Sequence, residues 1–173
     1  MLRSGIFMKN RTYVILAAGL SFTLCTLTIS VLAASSPNDA LLTVGDVAKV
    51  TGVRGLKIVP KDPTKRMIGD MNFIREDGIK ILSVTFEIVD LKEFAKTKKS
   101  DSFKSAFRGP VKGIGDEAYD GPPKMDPFIL SVLKGTHWVT ISTSFDIKKG
   151  MKPILTQDQL KKIAEIIIKN GKW

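Results

Sequence analysis

Residues Val111 to Pro123 read VKGIGDEAYDGPP and gather chemistry-bearing side chains within thirteen positions. Gly113, Gly115 and Ala118 have the Gly-x-Gly-x-x-Ala spacing of a phosphate-cradling loop. Asp116 and Glu117 are adjacent carboxylates suited to acid/base work or to a hard metal ion, and Tyr119 adds a phenol. A dinucleotide loop needs a strand before it and a helix after it, so that the pyrophosphate meets the helix N-terminus. Gly109-Pro110 precedes this stretch and Gly121-Pro122-Pro123 ends it. No helix can follow, and nucleotide binding is not expected.

Adjacent side chains on a strand point to opposite faces, so Asp116 and Glu117 do not pair on one substrate. A hydrolytic alternative joins Asp116 or Glu117 to His137, the single histidine, but no Gly-x-Ser-x-Gly elbow supplies a serine nucleophile. Calcium would find oxygens at Asp116, Glu117, Asp120 and Asp126, without EF-hand spacing. Met67, Met71, Met125 and Met151 with His137 make a haem or copper alternative, although methionines at strand spacing more often fill core. The structural reading asks least. Gly113 and Gly115 supply backbone angles closed to other residues, the acids cap exposed N–H groups, and Ala118 and Tyr119 enter a short strand with Tyr119 inward. No catalytic residue, metal ligand or cofactor is assigned. Gly113, Gly115, Asp116, Glu117 and Tyr119 form the candidate motif, with His137 as the alternative site.

Three helices and two hairpins must hold these residues. The first helix spans about Val44 to Thr51, with Thr43 as cap, Asp46 completing a capping box and Gly52 as stop. The second starts at Asp90, with Glu93 at the box position and Leu91, Phe94 and Ala95 as its apolar stripe, and frays at Lys98-Lys99-Ser100. The third has Thr156 as cap and Gln159 three residues on. Its Leu160, Ile163, Ala164 and Ile167 recur at helical spacing until Asn170-Gly171. Leu56 to Val59 is a short strand. Met67–Ile74 and Ile79–Val89 flank Glu76-Asp77-Gly78, a hairpin signal. In the second of these, Leu82, Val84, Phe86 and Ile88 form a core face. Phe128–Leu133 and Thr136–Ser144 flank Lys134-Gly135, with Trp138, Thr140 and Ser142 on one face and His137, Val139 and Ile141 on the other. Ser100 to Pro110 reads as a loop. The pattern predicts an α+β fold: a five- or six-stranded, mainly antiparallel sheet covered on one face by helices in a two-layer sandwich.

The N-terminus stands apart. Arg3, Lys9 and Arg11 precede an uncharged apolar run, Tyr13 to Ala33, that closes on Val31-Leu32-Ala33-Ala34. This is the layout of a secretory signal peptide over residues 1–33, and Met8 offers a second start. The run is also long enough to remain as an uncleaved anchor in contact with a membrane. Cys25, the single cysteine, follows Phe22-Thr23-Leu24 rather than the small residues of a lipobox. Residues 34–40 read as a tether and 41–173 as one domain. Cleavage leaves a cysteine-free chain of 140 residues, stabilised by packing without disulfides. It also removes three cations and no anions, taking the net charge from +10 to +7. A basic domain outside the cytoplasm attracts anionic surfaces. Lys96, Lys98 and Lys99 form a modest basic patch. No basic run is interleaved with aromatic residues, so no nucleic-acid partner is expected.

Gly113-Ile-Gly-Asp-Glu-Ala-Tyr119 followed by a hairpin resembles the Gly-Leu-Gly-Asp-Glu-Ala stretch of small exported bacterial domains of unknown function. The closing Leu155-Thr-Gln-Asp-Gln-Leu160 is similar to theirs. Such domains resemble the PsbP-like α+β sandwich in outline, and the resemblance implies no catalytic residue. The expectation is a periplasmic or secreted binding or accessory domain for an envelope protein or an anionic envelope component. The alternatives are an outward-facing domain anchored in the inner membrane, and a small hydrolase or metal- or haem-binding protein using Asp116, Glu117 and His137.

Overall fold

The computed structural model describes residues 40–60, 70–124 and 128–173. Residues 1–33, expected to be a signal peptide, lie outside the described residues, as do Asp126, Met67 and Met125. Among those described, four α-helices and eight strands follow the order α1 (Val44–Thr51), β1 (Lys57–Pro60), β2 (Met71–Ile74), β3 (Lys80–Ile88), α2 (Leu91–Thr97), α3 (Asp101–Ala106), β4 (Glu117–Gly121), β5 (Ile129–Lys134), β6 (His137–Thr143), β7 (Phe145–Asp146), β8 (Lys152–Pro153) and α4 (Gln157–Asn170). The main sheet runs β1-β2-β3-β6-β5-β4 with antiparallel neighbours throughout, and β7 and β8 pair separately. The fold is α+β, as the pattern predicts.

The helix ends follow from their caps. The Thr43 hydroxyl accepts from the Asp46 N–H while the Asp46 carboxylate accepts from the Thr43 N–H, and Gly52 closes α1 in the left-handed region. Thr156 and Gln159 make the same reciprocal pair at α4. Each box satisfies N–H groups that the first helical turn leaves without partners. Leu160, Ile163, Ala164 and Ile167 are buried from α4. They join Phe73, Leu82, Val84, Leu130, Val132, Val139 and Ile141 in one continuous core with Leu42 and Val47 of the α1 region. Ala34–Trp173 is one compact unit, and this core is drawn entirely from it. It therefore has the closed apolar interior that a domain of its length needs to fold independently.

Several expectations change. Among the described residues the second strand begins at Met71. Ile88 was expected on the core face but is 80% exposed, because β3 runs on past the cover that buries Ile81 to Val84. The Asp90 carboxylate caps α2 through Lys92 N and Glu93 N, but Glu93 completes no box and pairs instead with Lys96 at 2.6 Å. Leu91 and Ala95, expected in the apolar stripe, are exposed, and Phe94 is half-buried. The stretch from Ser100 to Pro110 contains α3, capped by the Ser100 hydroxyl on Phe103 N.

Helices α2 and α3 bring aromatic side chains to the sheet face opposite α4. Phe103 meets Tyr119 edge-on at 5.0 Å and Phe107 at 4.8 Å, and Phe94 lies 4.8 Å from Trp138. Cross-strand register puts Tyr119 and Trp138 on this face, since their neighbours Ala118 and Val139 point into the main core. A second, aromatic cluster thus covers one corner of the sheet.

Candidate functional site

The candidate motif forms the tip and inner arm of a β-hairpin. Arg108 N donates to Asp120 O at 2.6 Å and Val111 N to Ala118 O at 2.7 Å, and Pro110 bridges Tyr119. Residues 108–111 therefore run along the outer edge of β4 and shield a strand edge that would otherwise invite pairing with another chain. At the tip, Gly113 has φ +86° and Gly115 φ +61°, and a Cβ on Gly115 would sit 2.6 Å from the Leu133 carbonyl. Ile114, between them, is buried in the main core. Both glycines adopt positive φ, and the missing side chain of Gly115 lets the loop lie against β5.

The strand then parts the two acids. Asp116 accepts from Lys134 Nζ at 2.7 Å and from Gly135 N at 2.7 Å, so it holds the β5–β6 turn rather than its own glycines. The Lys134 ammonium, then the Gly135 N–H, keep its carboxyl below the ordinary range. Glu117 turns to the aromatic face. Lys98 Nζ donates to both its oxygens at 2.6 Å, and the Tyr119 hydroxyl donates to Oε2 at 2.6 Å. Lys98 first and Tyr119 second hold Glu117 below its usual value. Burial, then Glu117, push Tyr119 up. Lys98 also sits 5.5 Å over the Phe94 ring. The carboxylate, ammonium and phenol satisfy one another beside a packed aromatic cluster, which suits a clamp fastening α2 and α3 to β4.

The basic patch expected from Lys96, Lys98 and Lys99 does not form as one surface. Lys96 pairs with Glu93, Lys98 turns under to Glu117, and Lys99 is exposed. His137 takes no part in the motif. Glu117, Leu133 and Trp138 lie in one cross-strand row, so Glu117 shares Trp138's face and His137 lies on the other. Its ring meets Trp173 at 5.2 Å, and its Nδ1 is buried without a hydrogen bond. Asp116, Glu117 and His137 therefore do not converge. Asp120 faces α4, bonded to Gln157 and paired with Arg108 at 3.4 Å. Met71 is buried in the core and Met151 is exposed. Among the described residues no three His, Cys, Asp or Glu side chains gather as a metal-ion set.

A different region has the shape and charge of a binding site. A cleft of about 470 Å³ lies between the β2–β3 turn and the hairpin of β7 and β8, and Arg75, Lys148, Lys149 and Lys152 face it with Asp77 and Asp146. Ile79, Phe145 and Ile154 give it an apolar wall. Arg75 is paired with Asp77 and Lys149 with Asp146, the latter at 3.8 Å. Among the described residues, Lys148 and Lys152 make no ion pair. The hydrogen bond to Arg75 lowers the Asp77 carboxyl. The hairpin is firmly built: Phe145 pairs with Pro153 and Asp146 with Lys152, and Ile154 N donates to Ser144 O at 2.8 Å. The Asp146 carboxylate accepts from Lys148 N at 3.0 Å and Lys149 N at 3.3 Å. A second groove, about 500 Å³ and more open, runs between α1 and α4. The first cleft escapes sequence reading because two-residue strands carry no period and Arg75 lies some seventy positions from the lysines. Lys149-Gly150 was the available signal, a turn bracketed by lysines.

Residues 40–60, 70–124 and 128–173 contain no helix long and apolar enough to cross a membrane. Comparisons with protein-family models, with curated proteins and with solved structures give no match for this chain.

Proposed function

We propose that this chain is a binding or accessory domain working outside the cytoplasm, without catalysis of its own, and that it holds an anionic partner at the cleft between the β2–β3 turn and the β7–β8 hairpin. The observation that carries the reading is the charge of that cleft: four cationic side chains against two carboxylates, with Lys148 and Lys152 uncommitted. A recess with low-dielectric walls concentrates the field of its cations and raises the local concentration of anions. The apolar wall of Ile79, Phe145 and Ile154 suits a partner whose charged groups adjoin nonpolar ones. The basic, signal-like N-terminus and the positive net charge support a place in the cell envelope, facing anionic components.

Titration of residues 34–173 with inorganic polyphosphate tests this. Saturable binding that weakens with rising salt, and that is lost in the Lys148→Glu/Lys152→Glu double variant, is expected. Absence of binding at low salt, or binding unchanged by the double variant, would overturn the assignment.

A further inference from the structure

The rim of the cleft names its partner more closely. Ile147 is 79% exposed and Met151 59% exposed. They stand at either end of a five-residue tip whose base is the Asp146–Lys152 pair. Lys148, Lys149 and Lys152 lie between and beside them. Met151 is the one described non-glycine residue at positive φ, +61°, an angle that strains a side chain. It packs into no core that would explain the strain. The backbone around it is fixed, with Met151 N donating to Asp146 O at 3.0 Å and Gly150 N to Ile147 O at 3.2 Å.

Resting on the reading of the cleft as an anion site, we infer that the partner is the surface of an anionic bilayer, docked by the β7–β8 hairpin. Ile147 and Met151 enter the boundary between headgroups and acyl chains, while Lys148, Lys149 and Lys152 meet the lipid phosphates. A tip of two apolar side chains is small beside the roughly 800 Å² per partner of a stable protein interface. A bilayer needs no such area, because shallow apolar insertion adds to the attraction of each lysine for anionic lipid. Charge picks this end of the molecule. The other exposed apolar pair, Ile88 and Leu91, has mixed charge around it: Glu87, Asp90 and Glu93 offset Lys92 and Lys96, and Lys96 is already paired with Glu93, so that end offers an anionic surface no net attraction. Ile79, 44% exposed on the facing wall, extends the apolar rim.

Co-sedimentation of residues 34–173 with vesicles tests the inference, using phosphatidylglycerol and phosphatidylcholine in equal parts, phosphatidylcholine alone, and soluble polyphosphate as the lipid-free anion. The wild-type unit is expected to bind the mixed vesicles and not the neutral ones. Ile147→Ser/Met151→Ser should weaken vesicle binding about tenfold or more and leave polyphosphate binding unchanged. Lys148→Glu/Lys152→Glu should weaken both. These side chains are exposed, so the variants keep the fold, and cooperative unfolding checks it. If the serine variant binds vesicles like the wild type, or the wild type binds polyphosphate but no vesicle, docking is overturned while the anion site stands. Equal binding to neutral vesicles also overturns it. Binding to neither vesicles nor polyphosphate removes the anion site itself.

Discussion

Lys98 donates to both carboxylate oxygens of Glu117 at 2.6 Å across a separation of nineteen residues. The pair ties the turn between α2 and α3 to the first residue of β4, and the Tyr119 hydroxyl completes it from the same strand. Removing one member strands a half-buried charge or acceptor. Lys98→Met and Glu117→Gln should each cost about 1–2 kcal/mol. The double variant should cost less than their sum by about 1 kcal/mol. Urea unfolding of the four proteins measures this, and strict additivity would show that the clamp contributes nothing.

The pH dependence has a defined sign. Glu117 titrates lower when folded than its ordinary value near 4.5. Its contribution is therefore present above that value and lost as pH falls through the folded one. Tyr119 is raised above its ordinary 10.0 and Lys98 above 10.5, so their contributions are present below those values and lost as pH rises through the folded ones. The wild type should lose stability on both flanks. Glu117→Gln should flatten part of the acid flank, the rest belonging to Asp116 and Asp77, and Tyr119→Phe should flatten part of the alkaline flank. Urea midpoints across pH test this. An acid flank as steep in Glu117→Gln as in the wild type would place the titration elsewhere.

The two glycines of the motif should respond unequally. A Cβ on Gly113 meets open space and suffers only its positive φ, a cost of about 1 kcal/mol. A Cβ on Gly115 also strikes Val132 and the Leu133 carbonyl. Gly115→Ala should therefore destabilise by about 2–4 kcal/mol, the sum of strain and overpacking. Thermal melts of the two alanine variants decide it, and equal losses would mean that the loop does not press on β5.

Phe103 touches Phe94, Phe107, Tyr119 and Trp138, so it centres the aromatic corner. Phe103→Ala should cost about 2–3 kcal/mol and weaken the near-ultraviolet circular dichroism that the packed rings produce. Retention of that signal would show that α3 is not needed to order the corner.

What the sequence discloses follows the length scale of its signals. Thr43, Asp46, Thr156 and Gln159 announce their helices because a capping box is a local device, and α4 adds about two turns of apolar spacing from Leu160 to Ile167. The β2–β3 and β5–β6 hairpins are legible from Asp77-Gly78 and Lys134-Gly135. The six residues of α3 are too few to show a period, though Ser100 ahead of Phe103, and Phe103 four before Phe107, mark its cap and its inner face. The parting of Asp116 from Glu117 follows from strand alternation, whereas their partners Lys134 and Lys98 are fixed by tertiary register. Lys98 reads as a surface charge because nothing near it in sequence reveals Glu117. The β7–β8 hairpin goes unread for the same reason as α3, and with it the basic cleft.

The most direct test of the anion-site assignment is amide chemical-shift mapping of residues 34–173 as polyphosphate is added. Changes are expected to centre on Arg75, Lys148, Lys149 and Lys152 and to spread to Asp146 and Met151. Changes centred instead on Lys98, Glu117 and Tyr119, or on Lys49, Lys162 and Lys169 of the α1/α4 groove, would contradict it.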